Sequence, residues 1–587
     1  MIRVMKKFYI LLNRHQKGRV IILFFMMLLG GGFEVAGVSM MLPLITAAMD
    51  PNIITNNKFC KYICQIFQIT NHVDFVIWCI AAVVIIYIIK AAYLTFEYSV
   101  QYRFVFNNRF ITQSKLLEVY LHRPYEYFLS AQSGEIIRVV QEDAGSSFNM
   151  LTVILTFLTE AVVSAALIAT VFVINPFMTV FVAATLLILM VVILKCLRPL
   201  LRREGEIYQK TYAETNKWLL QSISGIKEVK VTQTEDFFLD NFVKYGKKMV
   251  NAARWNSTLQ NIPRNLIELV SVCSMMIVLG IMIAAGHEME SLLPSLSAFV
   301  MAAVKLLPSA NRMMSSMTQV VFYEPALDNM LENLADLEEQ VSWEDREAKE
   351  LPLTREIRFK GIDYTYPSGE KKIFSQAELV VPVGSSVGVI GASGAGKTTA
   401  VDILLGLLKP QAGQVLADGV DVSENMPGWL AHIGYIPQMI FMLDDTIRAN
   451  IVFGHVEADS AKGRGKPDFD MEMEKAVWAA LEEAQLADFV RSLPKGIDTA
   501  IGERGVRLSG GQRQRIGIAR ALFTNPDVLI FDEATSALDN ETEEAIMQSV
   551  NALHGKKTMI IIAHRLTTIE GCDMVYRAEN GKLVNNR

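Results

Sequence analysis

Between the apolar run SVGVI and a helix-like stretch lies Gly391–Thr399, GASGAGKTT. Strand, glycine-rich turn and helix, in that order, is the context a phosphate-binding loop requires. Glycines let the backbone N–H groups of Gly391, Ala392, Ser393, Gly394, Ala395 and Gly396 approach phosphate oxygens, and the helix N-terminus adds its positive end. Lys397 is placed to reach β- and γ-phosphates. Thr398 offers a hydroxyl to Mg²⁺, with Thr399 beside it.

A second apolar run, VLIFDE (Val528–Glu533), ends in two carboxylates. Asp532 suits Mg²⁺, directly or through water. Glu533 suits a general base polarising an attacking water. The plainer reading is a solvated turn after a strand. Between these motifs lies LSGGQRQRIGIARAL (Leu508–Leu522). Ser509, Gly510, Gly511 and Gln512 open its helix and offer further hydroxyl and N–H donors to phosphate.

In combination these segments resemble the ABC transporter family, whose signature is LSGGQ. Tyr366 in YTYP resembles the aromatic that stacks on adenine. Gln438 in YIPQ resembles the glutamine that senses Mg²⁺ and the attacking water. SALD, ending at Asp539, resembles the D-loop, and His564 in IIAHRL the switch histidine at the γ-phosphate. The resemblance implies ATP and Mg²⁺ as cofactors, with Lys397, Gln438, Glu533 and His564 catalytic. It also implies that each ATP sits between the phosphate loop of one ATPase domain and the signature of another. One chain carries one of each, so a homodimer with two competent sites is expected.

The elements around these motifs fit that frame. From Ile357 onward, short β-like runs alternate with helical ones, which suggests an α/β domain with a mainly parallel core sheet. The polar stretch 456–470 reads as a surface loop. The fold class expected is therefore an all-α transmembrane domain of six helices over 1–325, a linker over 326–356, and an α/β P-loop ATPase domain over 357–587.

The membrane half rests on hydropathy. The chain is 51% hydrophobic and 20% charged, too apolar for an ordinary soluble protein of this size. A membrane helix needs about 20 mostly apolar residues. Six stretches qualify: about 20–49, 75 to the mid-90s, 150–173, 177–197, 266–285, and 292–321, the last interrupted by Pro308. The start of the chain, MIRVMKKFYILLNRHQKGR, has six basic residues and no acidic one, and no processing site follows. Lys and Arg runs lie there and in the two long connections, and the tight loops INP and GHEMES have none. The positive-inside rule then places the N-terminus, the long connections and the ATPase domain in the cytoplasm, as a multi-pass protein of the cytoplasmic (inner) membrane. Residues 50–73 fall outside. Coupling helices are expected near Pro124–Ser130 and Lys217–Ser224, by the same resemblance.

The net charge of −5, with no broad basic surface, argues against a nucleic-acid partner. The six cysteines form no CxxC pair, so no structural zinc is expected. Cys60 and Cys64 read as packing rather than a disulfide.

Cations within spans point to cargo. Lys90 lies roughly 22 Å and Lys305 roughly 20 Å from the outer ends of their helices, at 1.5 Å per residue. Lys305 and Arg312 are seven apart, on one helix face. Arg264 opens the fifth helix. Four cations could line one cavity, with Glu34 and Glu268 offsetting part of the charge. Alternatively they snorkel or sit in cytoplasmic extensions. IPRNLIEL, LLPSANRMM and the outer amphipathic stretch resemble the bacterial flippases for lipid-linked oligosaccharides. That implies a polyprenyl-pyrophosphate cargo whose anion meets Lys90, Arg264, Lys305 and Arg312, although lysine at two positions grips less firmly than arginine. The other readings are a multidrug or lipid ABC exporter, and a soluble-type ABC ATPase, which six apolar spans oppose.

Overall fold

The computed structural model describes residues 2–39, 72–174, 176–284, 289–339, 350–367, 369, 371–455, 467–533, 550, 552–563 and 569–586. They fall into two compact units: Met1–Arg123 with Ser130–Gln340, and Pro124–Leu129 with Val341–Arg587.

The first unit is helical. Its elements are α1 (Ile2–Leu11), α2 (Arg14–Ser39) and α3 (His72–Leu121). After α4 (Tyr125–Phe128), which groups with the second unit, come α5 (Ala144–Ile174), α6 (Pro176–Ser224), α7 (Ile226–Thr232), α8 (Glu235–Ala284) and α9 (Met289–Glu339). Among the described residues, Arg14–Phe33, Val73–Leu121, Ser133–Ala169 and Thr179–Ser224 are helical, long and apolar enough to cross a membrane. Their apolar side chains face outward as well as inward: Ile85, Ile88, Leu187, Ile188 and Val191 are all exposed. A helix apolar all round suits hydrocarbon on its outer face. The fifth expected span falls in α8 as far as Ala284, and the sixth falls in α9.

Three local expectations change. Pro308 does not interrupt α9, which is helical from Met289 to Glu339. Proline forfeits one backbone hydrogen bond, and neighbouring helices and serine side chains can absorb that loss in a packed membrane bundle. Lys217–Ser224 is the last part of α6 rather than a separate coupling helix. Nothing before Gly225 breaks the helix, so the detached short helix is α7, stopped by Gln233 at φ 55°. The polar stretch 456–470 is not all loop, because helix α11 (Pro467–Glu483) starts within it, with proline at the first helical position where its missing N–H costs nothing. Residues 456–466, the 40–71 segment with Cys60 and Cys64, and residues 340–349 of the expected linker lie outside the described residues.

The second unit holds two sheets. One is antiparallel, in the order β2-β1-β4-β5, from β1 (Glu356–Thr365), β2 (Lys372–Pro382), β4 (Ala412–Ala417) and β5 (Val420–Asp421). The other runs β10-β9-β3-β8-β7-β6. Its strands are β3 (Ser386–Gly391), β6 (Ile433–Ile436), β7 (Val528–Asp532), β8 (Thr558–Ile562), β9 (Met574–Glu579) and β10 (Lys582–Asn585). All its pairings are parallel except β9 with β10. β7 and β8 are buried at every residue. That is why they read as unbroken apolar runs, and each buried Ile, Leu or Phe contributes about 1.5–3 kcal/mol. Register does the positioning. Val389 of β3 and Asp532 of β7 both align with Ile562 of β8, so the ends of β3 and β7 meet at one sheet edge.

Candidate functional site

At the end of β3 the chain turns through GASGAGKTT into α10 (Lys397–Leu404). Gly394 and Gly396 have φ of 76° and 99°, where a side chain is strained. At Gly396 a Cβ would also lie 2.7 Å from Ile373 Cγ2. Lys397 is 5% exposed, and its Nζ donates to the carbonyls of Gly391 (3.1 Å) and Ala392 (3.2 Å), so the ammonium spans the loop. Thr398 is exposed and Thr399 buried. The Tyr366 hydroxyl lies 3.0 Å from Thr399 Oγ1, and its ring packs edge-on against Tyr364 at 5.2 Å between centroids.

At the end of β7, Asp532 is 4% exposed, and its Oδ1 has no hydrogen-bond partner among the described residues. A buried carboxylate oxygen left so is costly unless a cation or donor meets it. Asp532 and the open Thr398 hydroxyl are hard oxygen donors, and the chemistry fits Mg²⁺. Burial first, then the Glu533 charge, push the Asp532 carboxyl up to about 6, against Lys397 and a hydrogen bond from Tyr435. Asp402, one turn into α10, is likewise raised to about 6 by burial and then by Asp532. Glu533 has φ 49°, a left-handed backbone unusual for a non-glycine residue. Gln438 Nε2 donates to Glu533 Oε2 at 2.9 Å.

The structure thus gathers the phosphate loop, Tyr366, Asp532, Glu533 and Gln438 in one unit. Ser509 caps helix α12 (Gly510–Phe523): its Oγ accepts from Gln512 N at 3.2 Å, and its own N–H donates to Gln512 Oε1 at 2.9 Å. Among the described residues no hydrogen bond joins Ser509–Gln512 to the phosphate loop. Asp539 and His564 lie outside the described residues. Sequence reasoning missed Asp402, Tyr435 and Tyr125. Asp402 had a signal, four residues after Thr398 on the same helix face. Tyr435 and Tyr125 had none. The Tyr125 hydroxyl is pushed up by burial, then by Asp402 and Tyr366, and Glu126 Oε1 accepts from Lys409 N at 3.2 Å. The first expected coupling segment therefore lies on the ATPase core as α4.

The raised carboxyls predict an unusual pH response. Their folded pKa values exceed their unfolded ones, so the stability they contribute is fully present below about 4 and is lost as pH rises through about 6. The thermal midpoint of the nucleotide-free protein in EDTA is expected to rise between pH 7.5 and 5.5, and Asp402→Asn to flatten that slope. A midpoint that falls over this range contradicts the assignment.

In the helical unit, Lys90 is half-buried with its Nζ 5.4 Å from the Tyr87 ring centroid, and Arg264 is exposed. Lys305 lies on α9, seven residues before Arg312, and its side chain is outside the described residues. Arg312 is held by Glu160 of α5. Ile267, three residues after Arg264, and Met314, two after Arg312, are fully buried together with Ile193, so α8 and α9 meet beside both arginines.

A helical membrane region followed on one chain by this nucleotide-binding sheet defines a transport ATPase. The ABC transporter transmembrane region family matches residues 20–303 and the ABC transporter family residues 374–536, and the chain belongs to the ABC transporters. It couples ATP hydrolysis to transport across a membrane it crosses several times. The ATP-dependent lipid A-core flippase of Burkholderia orbicola is 28% identical over 485 residues, covering 81% of this chain and 78% of that one. The protein of the same name from Methylobacillus flagellatus is 30% identical over 393 residues, covering 67% and 64%. A solved bacterial Atm1-family ABC exporter with ATP bound superposes with a TM-score of 0.74 at 23% identity, over 97% of this chain and 95% of that one. That similarity establishes a shared fold.

Proposed function

We propose that this transporter flips an anionic, amphiphilic lipid, a polyprenyl-pyrophosphate-linked oligosaccharide, across the cytoplasmic membrane. It works as a homodimer, with the N-terminus and ATPase domains in the cytoplasm, a membrane domain over 1–325, a linker over 326–356 whose first part continues α9 as helix to Glu339, and the ATPase domain over 357–587. The observation that carries the cargo reading is a guanidinium, Arg312, half exposed on a helix of the membrane unit and packed beside the helix of Arg264. With Lys90 and Lys305, these cations suit a pyrophosphate.

In the ATPase domain, the loop N–H groups and Lys397 bind the phosphates, Tyr366 turns from Thr399 to the adenine, and Thr398 and Asp532 hold Mg²⁺, with Gln438 reporting on it. Mg²⁺ bound there neutralises charge on the β- and γ-phosphates. Glu533 accepts a proton from the attacking water, and His564 contacts the γ-phosphate. Ser509, Gly510, Gly511, Gln512 and Asp539 complete the partner's site. Closure of the two ATPase domains is transmitted to the membrane helices by the two long cytoplasmic connections.

The named relatives favour a second reading, lipid A-core as cargo. The test is ATPase stimulation in lipid nanodiscs by a polyprenyl-diphosphate glycan, by lipid A-core, and by neutral or cationic amphiphiles. The glycan should stimulate at the lowest concentration, and Arg312→Ala should raise that concentration about tenfold, the loss of one charge-assisted contact. Stimulation by the amphiphiles alone sinks the anionic-lipid reading, and preference for lipid A-core selects the second.

A further inference from the structure

Helix α5 carries a single acidic residue, Glu160, in an otherwise apolar run. It is 9% exposed, and an ionisable group so placed is expensive unless paired. It is paired. Arg312 Nε donates to Glu160 Oε1, and Nη2 donates to Oε2 at 3.2 Å, the two-pronged geometry that gives guanidinium–carboxylate pairs their direction. The Ser309 hydroxyl, one helical turn before Arg312, also donates to Oε2, and Ser164 Oγ lies 2.8 Å from Ser309 Oγ. The carboxylate is thus held by two residues of α9, one of which, Ser309, is tied back to α5 through Ser164.

Arg312 is in a different position. Its side chain is 49% exposed. A guanidinium has five N–H groups, and Glu160 takes two, which leaves three for a ligand. An arginine without such a partner is a mobile arm that must be ordered when it binds.

We propose that Glu160 is the positioning residue of the cargo site: it locks Arg312 in one orientation, so the cargo's phosphate meets a preset fork. Glu160 touches no cargo and acts through Arg312. It also cancels the charge of Arg312 within the protein, so the fork is oriented without adding net positive charge. This rests on the anionic-lipid reading above.

The test is a double-mutant cycle on the concentration of polyprenyl-diphosphate glycan giving half-maximal ATPase stimulation in nanodiscs. Glu160→Ala is expected to raise that concentration about tenfold, with the effect on it rather than on the maximal rate. Glu160→Gln, which keeps the volume and one acceptor, should raise it about threefold, and it carries the test if the alanine variant does not assemble. Either change combined with Arg312→Ala should be no worse than Arg312→Ala alone. If the two effects multiply, or if the Glu160 variants bind like wild type while Arg312→Ala does not, positioning through Arg312 is wrong and the cargo reading stands. If Arg312→Ala itself leaves the half-maximal concentration unmoved, the cargo reading falls, and this inference with it.

Discussion

Glu533→Gln is expected to lower ATP turnover by about three orders of magnitude, the scale of a lost general base, while ATP still closes the proposed ATPase dimer. The substitution is nearly isosteric, so it separates chemistry from shape. Glu533 follows a buried strand and takes a left-handed turn at φ 49°. Glutamine can sit there with the same strain, and its amide oxygen can still accept the 2.9 Å hydrogen bond from Gln438. What it cannot do is accept a proton from water. Asp532, next along the chain, is a poor substitute: it is buried, its Oδ1 meets no donor among the described residues, and its place is with the cation. Turnover is read by phosphate release, and closure by ATP-dependent cross-linking between the two ATPase domains. Residual hydrolysis above a tenth of wild type moves the base to another residue. Loss of closure as well means Glu533 shapes the site rather than running the reaction.

The nucleotide end of the chain was legible because its residues constrain backbone. Gly394 and Gly396 stand where φ is positive, the apolar runs before Gly391 and Asp532 are strands buried on both faces, and Ser509 with Gln512 forms the cap that starts a helix. Each feature is local, so short stretches of sequence betray it. Contacts between distant segments were harder. Nothing in YIPQ says that Tyr435 will bond Asp532. Likewise α4 is a four-residue turn whose docking beside Lys409 depends on a partner far along the chain. Glu160 was the avoidable miss. An acid inside the third apolar stretch is as unusual as the cations that were noticed, and Glu34 and Glu268 were weighed as counter-charges in its place. Pro308 failed for another reason. A proline predicts a lost hydrogen bond, but whether the helix breaks depends on its neighbours, and here Ser309 and Glu160 tie α9 to α5 at that point.

Lys397→Ala and Ser509→Arg are expected to fail in different ways, and the contrast tests whether the site is shared between chains. Lys397 is buried across the phosphate loop on the carbonyls of Gly391 and Ala392, and the ammonium is the one full charge of that loop. Without it, ATP affinity should fall about a hundredfold, with turnover following. Ser509 belongs to α12, and no hydrogen bond among the described residues ties it to the loop. Arginine there removes the cap on Gln512 N, worth about 1 kcal/mol, a loss the buried face of α12 can bear. It also puts bulk where a partner's phosphate would rest. Ser509→Arg should therefore bind ATP with near wild-type affinity and yet lose about a hundredfold or more in turnover, the scale of removing preorganised donors from a transition state. Binding is measured with a fluorescent ATP analogue on the same preparations used for phosphate release. If Ser509→Arg loses binding as deeply as Lys397→Ala, the signature acts on its own chain's nucleotide. If it keeps full turnover, it touches no nucleotide at all. Binding without turnover leaves a single arrangement, in which each chain's phosphate loop needs the other chain's Ser509.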